Sequence, residues 1–474
     1  MNDITAFFAF LRYCLGYKGD MSSVVTGMDW QELYSFASKQ ALQGLCFEGI
    51  ERLGEEYPEK LKQNPIGREL LMTWMGKAQQ IRRQNRKVNT VASKLFSMLR
   101  EDGLRCCVLK GQGNALMYPN PYSRIPGDID VWIDASRERI MEYAQNKFEL
   151  EDDIRLQHLE TSLDGVPIEL HFFPCSMNNP IYHARLQKWF RRNADLQCSH
   201  IVGLPDGAGD IAIPTTAFNV IYQLCHLYHH FFDEGIGMRQ IIDYFLVVND
   251  FSKNVFLDTD FSNHPVNFSN HPVPLSKEGS TFSPSPSSMV FTPPSVPPFP
   301  GDRNLRSGDV TAPSRCSEPL RSKDGGTSKP SPNCAGWDRL AIEEDNSAGS
   351  TTAVTSSAST ALVVVQKELK YLGLWKFAGA VMYVLHEALG LSEEKMIAPM
   401  DEKRGKLLLA EILNGGNFGK HFTKYGGFTH QSMGKKYFLK IWRNMHFVRF
   451  FPAEALSEPI FRTWHFFWRM KYKK

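Results

Sequence analysis

The sequence predicts an α+β protein, a small mixed sheet with helices set between helical regions on both sides in sequence. Three observations predict it. Apolar residues recur at helical intervals through the first hundred positions, strand-like runs bounded by turn signals occupy the region from 104 to 213, and helical spacing returns after 213.

The opening stretch MNDITAFFAFLRYCLGYKGD places Ile4, Phe7, Phe8, Leu11 and Leu15 on one helical face. Asp3 stands where a signal peptide would be basic, so the segment reads as an amphipathic helix. Trp30, Leu33, Phe36 and Ala37 keep the same spacing within 28–53. Over 68–100, Val88, Val91, Leu95 and Met98 form one side, and Arg82, Arg83, Arg86 and Lys87 precede them as a solvated face. Residues 1–103 are therefore expected to form a helical N-terminal region.

Residues 105–133, RCCVLKGQGNALMYPNPYSRIPGDIDVWI, run from an apolar strand through Lys110-Gly111, a helix start and a Tyr/Pro-rich turn with Arg124. They end with Asp128-Ile129-Asp130 inside a second apolar strand. Side chains alternate along a strand, so Asp128 and Asp130 share one face while Ile129, Val131 and Ile133 turn to the core. Two carboxylates on one face repel unless a cation lies between them. A divalent metal that prefers hard oxygen ligands, Mg²⁺ or Mn²⁺, suits them, which points to phosphoryl or nucleotidyl transfer.

Residues 154–173, IRLQHLETSLDGVPIELHFF, are two strand runs joined through Asp164-Gly165, a hairpin turn signal. In the second run Glu169 and His171 share a face. If that strand lies beside 128–133, Glu169 completes an Asp/Asp/Glu cluster around one or two metals and is also placed to act as general base. His171, about 6–7 Å further along by strand rise, is expected to orient a carboxylate or contact substrate.

These residues resemble the nucleotidyltransferase superfamily related to DNA polymerase beta. More narrowly, LKGQGNALMYPNPYSRIPGDIDVWI followed by VPIELHF is similar to a bacterial branch described as uncharacterised nucleotidyltransferases, with a Lys-Gly turn, an Arg before the Asp pair and a Glu-Leu-His strand. The resemblance extends to HLYHHFFDEGIGMRQIIDYF (226–245) and EILNGGNFGK (411–420). It departs from the wider superfamily at Lys110-Gly111-Gln112, where Gly-Gly or Gly-Ser is commoner, and in the long interval from Gly111 to Asp128. The resemblance implies a polymerase beta-like palm over 104–213. In the combined reading Asp128, Asp130 and Glu169 are the metal and catalytic residues. Lys110 and the Gly111 amide bind triphosphate oxygens, Arg124 stabilises charge on the transferring group, and His171 and Arg239 are substrate contacts.

Past 213 the pattern is helical. His226 and His230 lie four apart on one helix face, with His229 three from His226, a spacing that suits a metal; a third ligand beyond that pair is not evident and H-E-x-x-H is absent, so substrate contact or acid/base work and structural hydrogen bonding stand beside it. Arg239 and Asp243, four apart, fit an intrahelical ion pair worth a few tenths of a kcal/mol. The alternative is that Gly235-Ile236-Gly237 delivers Arg239 to the triphosphate.

Residues 251–360 hold 14 of the 27 prolines and 21 serines. Such composition cannot offset chain entropy by burial, so the segment is expected to be a disordered insertion splitting one helical domain into 214–250 and 361–474. The stretch 435–474 carries ten Lys/Arg against two Glu, interleaved with aromatics. It is expected to be a helical pair with aromatics inward and cations in water, in preference to polyanion or membrane binding.

A net charge of +3 over 474 residues implies no global nucleic-acid field. Nine scattered cysteines without a C-x-x-C pair fit a reducing cytoplasm, and no run of 18 apolar residues spans a membrane. The expectation is a cytoplasmic, metal-dependent enzyme that moves a nucleoside monophosphate from an NTP to an acceptor hydroxyl of a small molecule, protein or RNA. The alternative is a non-catalytic nucleotide- or RNA-binding regulator that keeps the fold.

Overall fold

The chain enters through helices: α1 (Ile4–Cys14), α2 (Ser22–Gly27), α3 (Trp30–Lys39), α4 (Gln43–Glu56), α5 (Pro58–Gln63) and α6 (Arg68–Glu101). The structure, a computed structural model, describes residues 4–150, 155–257, 351–421 and 433–472. Helix α3 starts where the Asp29 carboxylate accepts the Glu32 amide, and it buries Trp30, Leu33, Phe36 and Ala37 as their spacing predicts. Helix α6, 34 residues long, links two cores. Trp74 and Ala78 pack in a large helical core, while Val88, Val91 and Leu95 further along pack against the sheet.

The mixed sheet follows: β1 (Cys106–Leu109), the short α7 (Gly111–Ala115), β2 (Ile129–Ile133), α8 (Arg137–Lys147), β3 (His158–Leu163) and β4 (Val166–His171). Its order is β1-β2-β4-β3; β2 and β4 are parallel and the outer pairs antiparallel. The β3–β4 turn is Asp164-Gly165, both at positive φ (51° and 70°), as a two-residue turn matching strand twist requires. Helix α9 (Pro180–Ser199) and the hairpin β5 (Ile201–Leu204)–β6 (Gly209–Ala212) complete this part. The architecture is thus α+β, mostly helical with small sheets.

Helices α10 (Thr216–Asp233), α11 (Met238–Leu257), α12 (Thr351–Tyr371), α13 (Trp375–Leu389), α14 (Glu402–Gly415), α15 (Met433–Met445) and α16 (Pro452–Tyr472) follow. All described residues belong to one unit drawn from 1–269 and 349–474. Most of the expected insertion, 258–350, lies outside the described residues. Its expected edges move inward, because α11 runs on through Leu257 and α12 begins at Thr351. Phe251 and Ser252 are buried, so the packed face of α11 outlasts the change in composition.

The C-terminal pair departs from the expected inside–outside pattern. Phe447 and Phe451 are buried, but Phe438, Trp442, Trp464, Phe466 and Phe467 are exposed. Several cations turn inward instead. Arg443 is fully buried and donates to the Phe231 carbonyl, and Asn444 donates to that of Phe232. Lys440 and Arg462 converge on Asp233 at 3.0 and 2.9 Å. The open carbonyls and the carboxylate at the α10 C-terminus attract them. Among the described residues no helix is long and apolar enough to cross a membrane.

Candidate functional site

Strand register assembles the acidic cluster. In the parallel β2–β4 pair Asp130 lies beside Glu169, and in the antiparallel β1–β2 pair Leu109 lies beside Asp130. Asp128 precedes β2 by one residue on the Asp130 face. One oxygen from each of Asp128, Asp130 and Glu169 lies within 4.8 Å of the others. Lys110, just past β1, has φ +52° and ψ −135°, a sparsely populated conformation for a residue with a side chain. Its Nζ sits 2.9 Å from Asp130 Oδ1 and 3.2 Å from His226 Nε2.

His171 lies closer than strand rise predicted. Its Nε2 is 3.1 Å from both Asp130 Oδ1 and Glu169 Oε2. In the register His171 stands opposite Trp132, two residues on from the Asp130–Glu169 pair, and its imidazole reaches back to both carboxylates. On its other side Nδ1 faces Gln157 Nε2 at 3.3 Å.

The charges balance through these contacts. The Asp128 carboxyl is pushed up to about 7, first by the neighbouring Asp130 charge and then by burial and Glu169. Burial works to raise Asp130 too, yet Lys110 and His171 hold it below the usual carboxylate range. Glu169 is held well below that range because the His171 bond overcomes its burial. Burial opposes the protonation of His171, but its bonds to Asp130 and Glu169 raise it to about 9. His226 is pushed well down by burial and by Lys110, so it stays neutral and accepts from that ammonium.

Three clustered carboxylates of hard oxygen character, one of them titrating near neutrality, fit a divalent cation such as Mg²⁺ or Mn²⁺: an added ion would compensate the charge on Asp128 that now appears only at cost.

The cleft beside Asp128 is lined by Lys110, Gly111, His226, Arg239 and Phe418 among others. Arg124 also reaches it, but its guanidinium is committed. Nε and Nη2 each donate to Asp243 at 2.8 Å, and Tyr118 Oη donates to the same carboxylate at 2.8 Å. The expected Arg239–Asp243 helix pair is thereby replaced, since Asp243 spends both oxygens elsewhere. Arg239 donates from Nη1 to the Ile125 carbonyl at 3.0 Å, sits over the Phe418 ring, and leaves Nε without a hydrogen-bond partner. The α6 residue Asn85 secures the intervening turn by donating to the carbonyls of Tyr122 and Arg124.

The remaining histidines do not converge on one ligand position. His229 Nδ1 is 3.5 Å from Ser176 Oγ, and His230 packs edge-on against Phe418. Among the described residues no metal-capable trio includes His226, His229 or His230.

Sequence reasoning missed His158, Gln157, Tyr118 and Phe418. For His158 a signal was present. A two-residue turn at 164–165 pairs 163 with 166 and hence 158 with 171, and Glu160 with Glu169. Phe418 carried no local signal that placed it over Arg239.

Residues 26–261, just under half of the chain, match the profile of a family described as uncharacterised nucleotidyltransferase. That span contains Lys110, Asp128, Asp130, Glu169, His171 and Arg239. No curated protein and no solved structure matches the chain.

Proposed function

We propose that this chain belongs to the nucleotidyltransferase family whose profile it matches, and that it moves a nucleoside monophosphate from an NTP to an acceptor hydroxyl. One observation carries the reading: sheet register gathers Asp128, Asp130 and Glu169 at the edge of a cleft whose other walls supply Lys110 and Arg239. The mixed sheet with Asp128 and Asp130 at the start of one strand and Glu169 on its parallel neighbour supports placement with polymerase beta-like enzymes. Seven free cysteines among the described residues support a cytoplasmic setting.

Asp128, Asp130 and Glu169 would hold Mg²⁺ or Mn²⁺, which when bound neutralises charge on the phosphates and acidifies the acceptor hydroxyl. The chain's own residues do the rest. Lys110 donates to the triphosphate oxygens beside the Gly111 backbone. Arg239, with donor capacity uncommitted, takes charge that develops on the transferring group. Arg124 holds the wall through Asp243 in place of touching phosphate. The contacts that keep Glu169 ionised make it a weak proton acceptor, so its part is to hold the cation.

Incubating the protein with each labelled NTP, Mg²⁺ and cell extract, then identifying the labelled product, tests the reading. Label transfer that disappears in Asp128→Asn is the expected result. Tight Mg²⁺–NTP binding without label transfer to any component would replace the enzyme with a nucleotide-binding regulator.

A further inference from the structure

Glu169 belongs to two clusters. Besides the acidic trio, it stands with His158 and His171, and one ligand atom from each of these three lies within 4.8 Å of the others. His158 Nδ1 is 3.4 Å and His171 Nε2 3.1 Å from the same oxygen, Glu169 Oε2. Two ligand atoms each about 2.1 Å from one ion, at angles between octahedral and tetrahedral, stand roughly 3.0–3.4 Å apart. These are the separations of neighbouring ligands around a small divalent ion.

The state of His158 points the same way. It is only 9 % exposed, yet neither ring nitrogen has a hydrogen-bond partner. Its Nε2 is 3.5 Å from Glu160 Oε1, but Arg155 Nη2 holds that oxygen at 2.7 Å. A buried imidazole with both nitrogens unsatisfied is costly unless it serves a ligand. His158 also lines a cavity with Arg155, Gln157, Ser176 and His229, which leaves room for a water or substrate atom at a further coordination position. Gln157 Nε2 stands 3.3 Å from His171 Nδ1 while it donates to the Pro174 carbonyl at 3.1 Å, and so fixes the ring from the side away from Glu169.

We propose that His158, His171 and Glu169 form a second cation site, one that takes a borderline divalent ion such as Zn²⁺ or Co²⁺. Two imidazoles favour such ions over Mg²⁺, which suits the all-oxygen trio. Glu169 is shared between the two. Binding displaces the Nε2 proton of His171 to solvent, and the ion takes that proton's place between the imidazole and the carboxylate. The site rests on the nucleotidyl-transfer reading for its role but not for its existence.

The test uses the full chain, stripped of metal and titrated with Co²⁺ alone, read by visible d–d absorption and calorimetry. The expected result is one Co²⁺ per chain with the intense band of four- or five-coordinate cobalt. That band persists in excess Mg²⁺ and in Asp128→Asn. It disappears in His158→Ala and in the closer-sized His158→Gln, with affinity falling by more than the ~10–100-fold typical of an outer-sphere loss. Circular dichroism of both His158 variants shows that they fold. No band in the wild type, a band that survives both His158 changes, or a sulfur charge-transfer band from a cysteine ligand would overturn the proposal. Mg²⁺-dependent NTP binding, measured in parallel, reports separately on the acidic trio: NTP binding without a cobalt band defeats only the second site, and a cobalt band without NTP binding defeats only the nucleotidyl-transfer reading.

Discussion

Asp130 and Asp128 share a strand face but occupy opposite electrostatic positions. Asp130 is 4 % exposed and bonded to Lys110 and His171, whereas Asp128 faces the cleft with Asp130 as its nearest like charge. Both Asp→Asn variants should abolish label transfer. Asp130→Asn should also lower stability by about 3 kcal/mol, because it leaves two buried cations with less compensation. Asp128→Asn relieves repulsion, so its stability should hold or rise; equal denaturation midpoints for the two variants would contradict this assignment. The pH dependence has a definite sign. A carboxyl raised to about 7 in the fold, against about 3.9 unfolded, binds more protons when folded between those values. Its stability contribution is fully present below about pH 4 and is lost as pH rises through 7. In chelator, the wild-type melting temperature should therefore fall relative to Asp128→Asn across that window, and added Mg²⁺ should restore most of the difference near pH 8. A constant difference between the two proteins across the window would show that Asp128 titrates normally.

At the scale of elements, α11 carries Asp243 and Arg239 one turn apart, and the two turn to different tasks. Asp243 clamps Arg124 and thereby ties the 119–128 segment to the helix, while Arg239 reaches the cleft past Phe418. Arg124→Lys keeps the charge but loses the two-pronged bond, so it should cost about 1.5–3 kcal/mol in urea unfolding. Arg239→Lys should leave stability unchanged or slightly higher, since the guanidinium is buried without a carboxylate of its own. It should weaken NTP binding on the order of 10-fold. If instead Arg124→Lys impairs only NTP binding and Arg239→Lys only stability, the two roles are reversed. The β3–β4 hairpin was legible at this scale because Asp164-Gly165 dictates turn and register together. The terminal pair α15–α16 was not, because helical spacing of aromatics does not say which face meets the rest of the protein.

At the scale of the molecule, α11 and α12 pack in one unit although 258–350 separate them in sequence. Replacing 258–350 with a short linker should leave the melting temperature within about 3 °C and label transfer unchanged. Loss of folded protein on that replacement would show that the segment contributes to the core. The sequence by itself determined what depends on neighbouring residues: the period-2 alternation that sets Asp128 with Asp130 and Glu169 with His171, the turn that pairs β3 with β4, and the helical faces of Trp30, Leu33 and Val88. Each is a property of a few consecutive φ/ψ angles and of local apolar spacing. Only the tertiary structure decided that β2 lies beside β4, that His171 bridges two carboxylates, and that Asp243 takes Arg124, 119 residues away, in preference to Arg239 on its own helix. The physical reason is that a buried charge takes whichever partner packing brings to it with the better geometry, and no local pattern encodes a contact made across a hundred residues of chain.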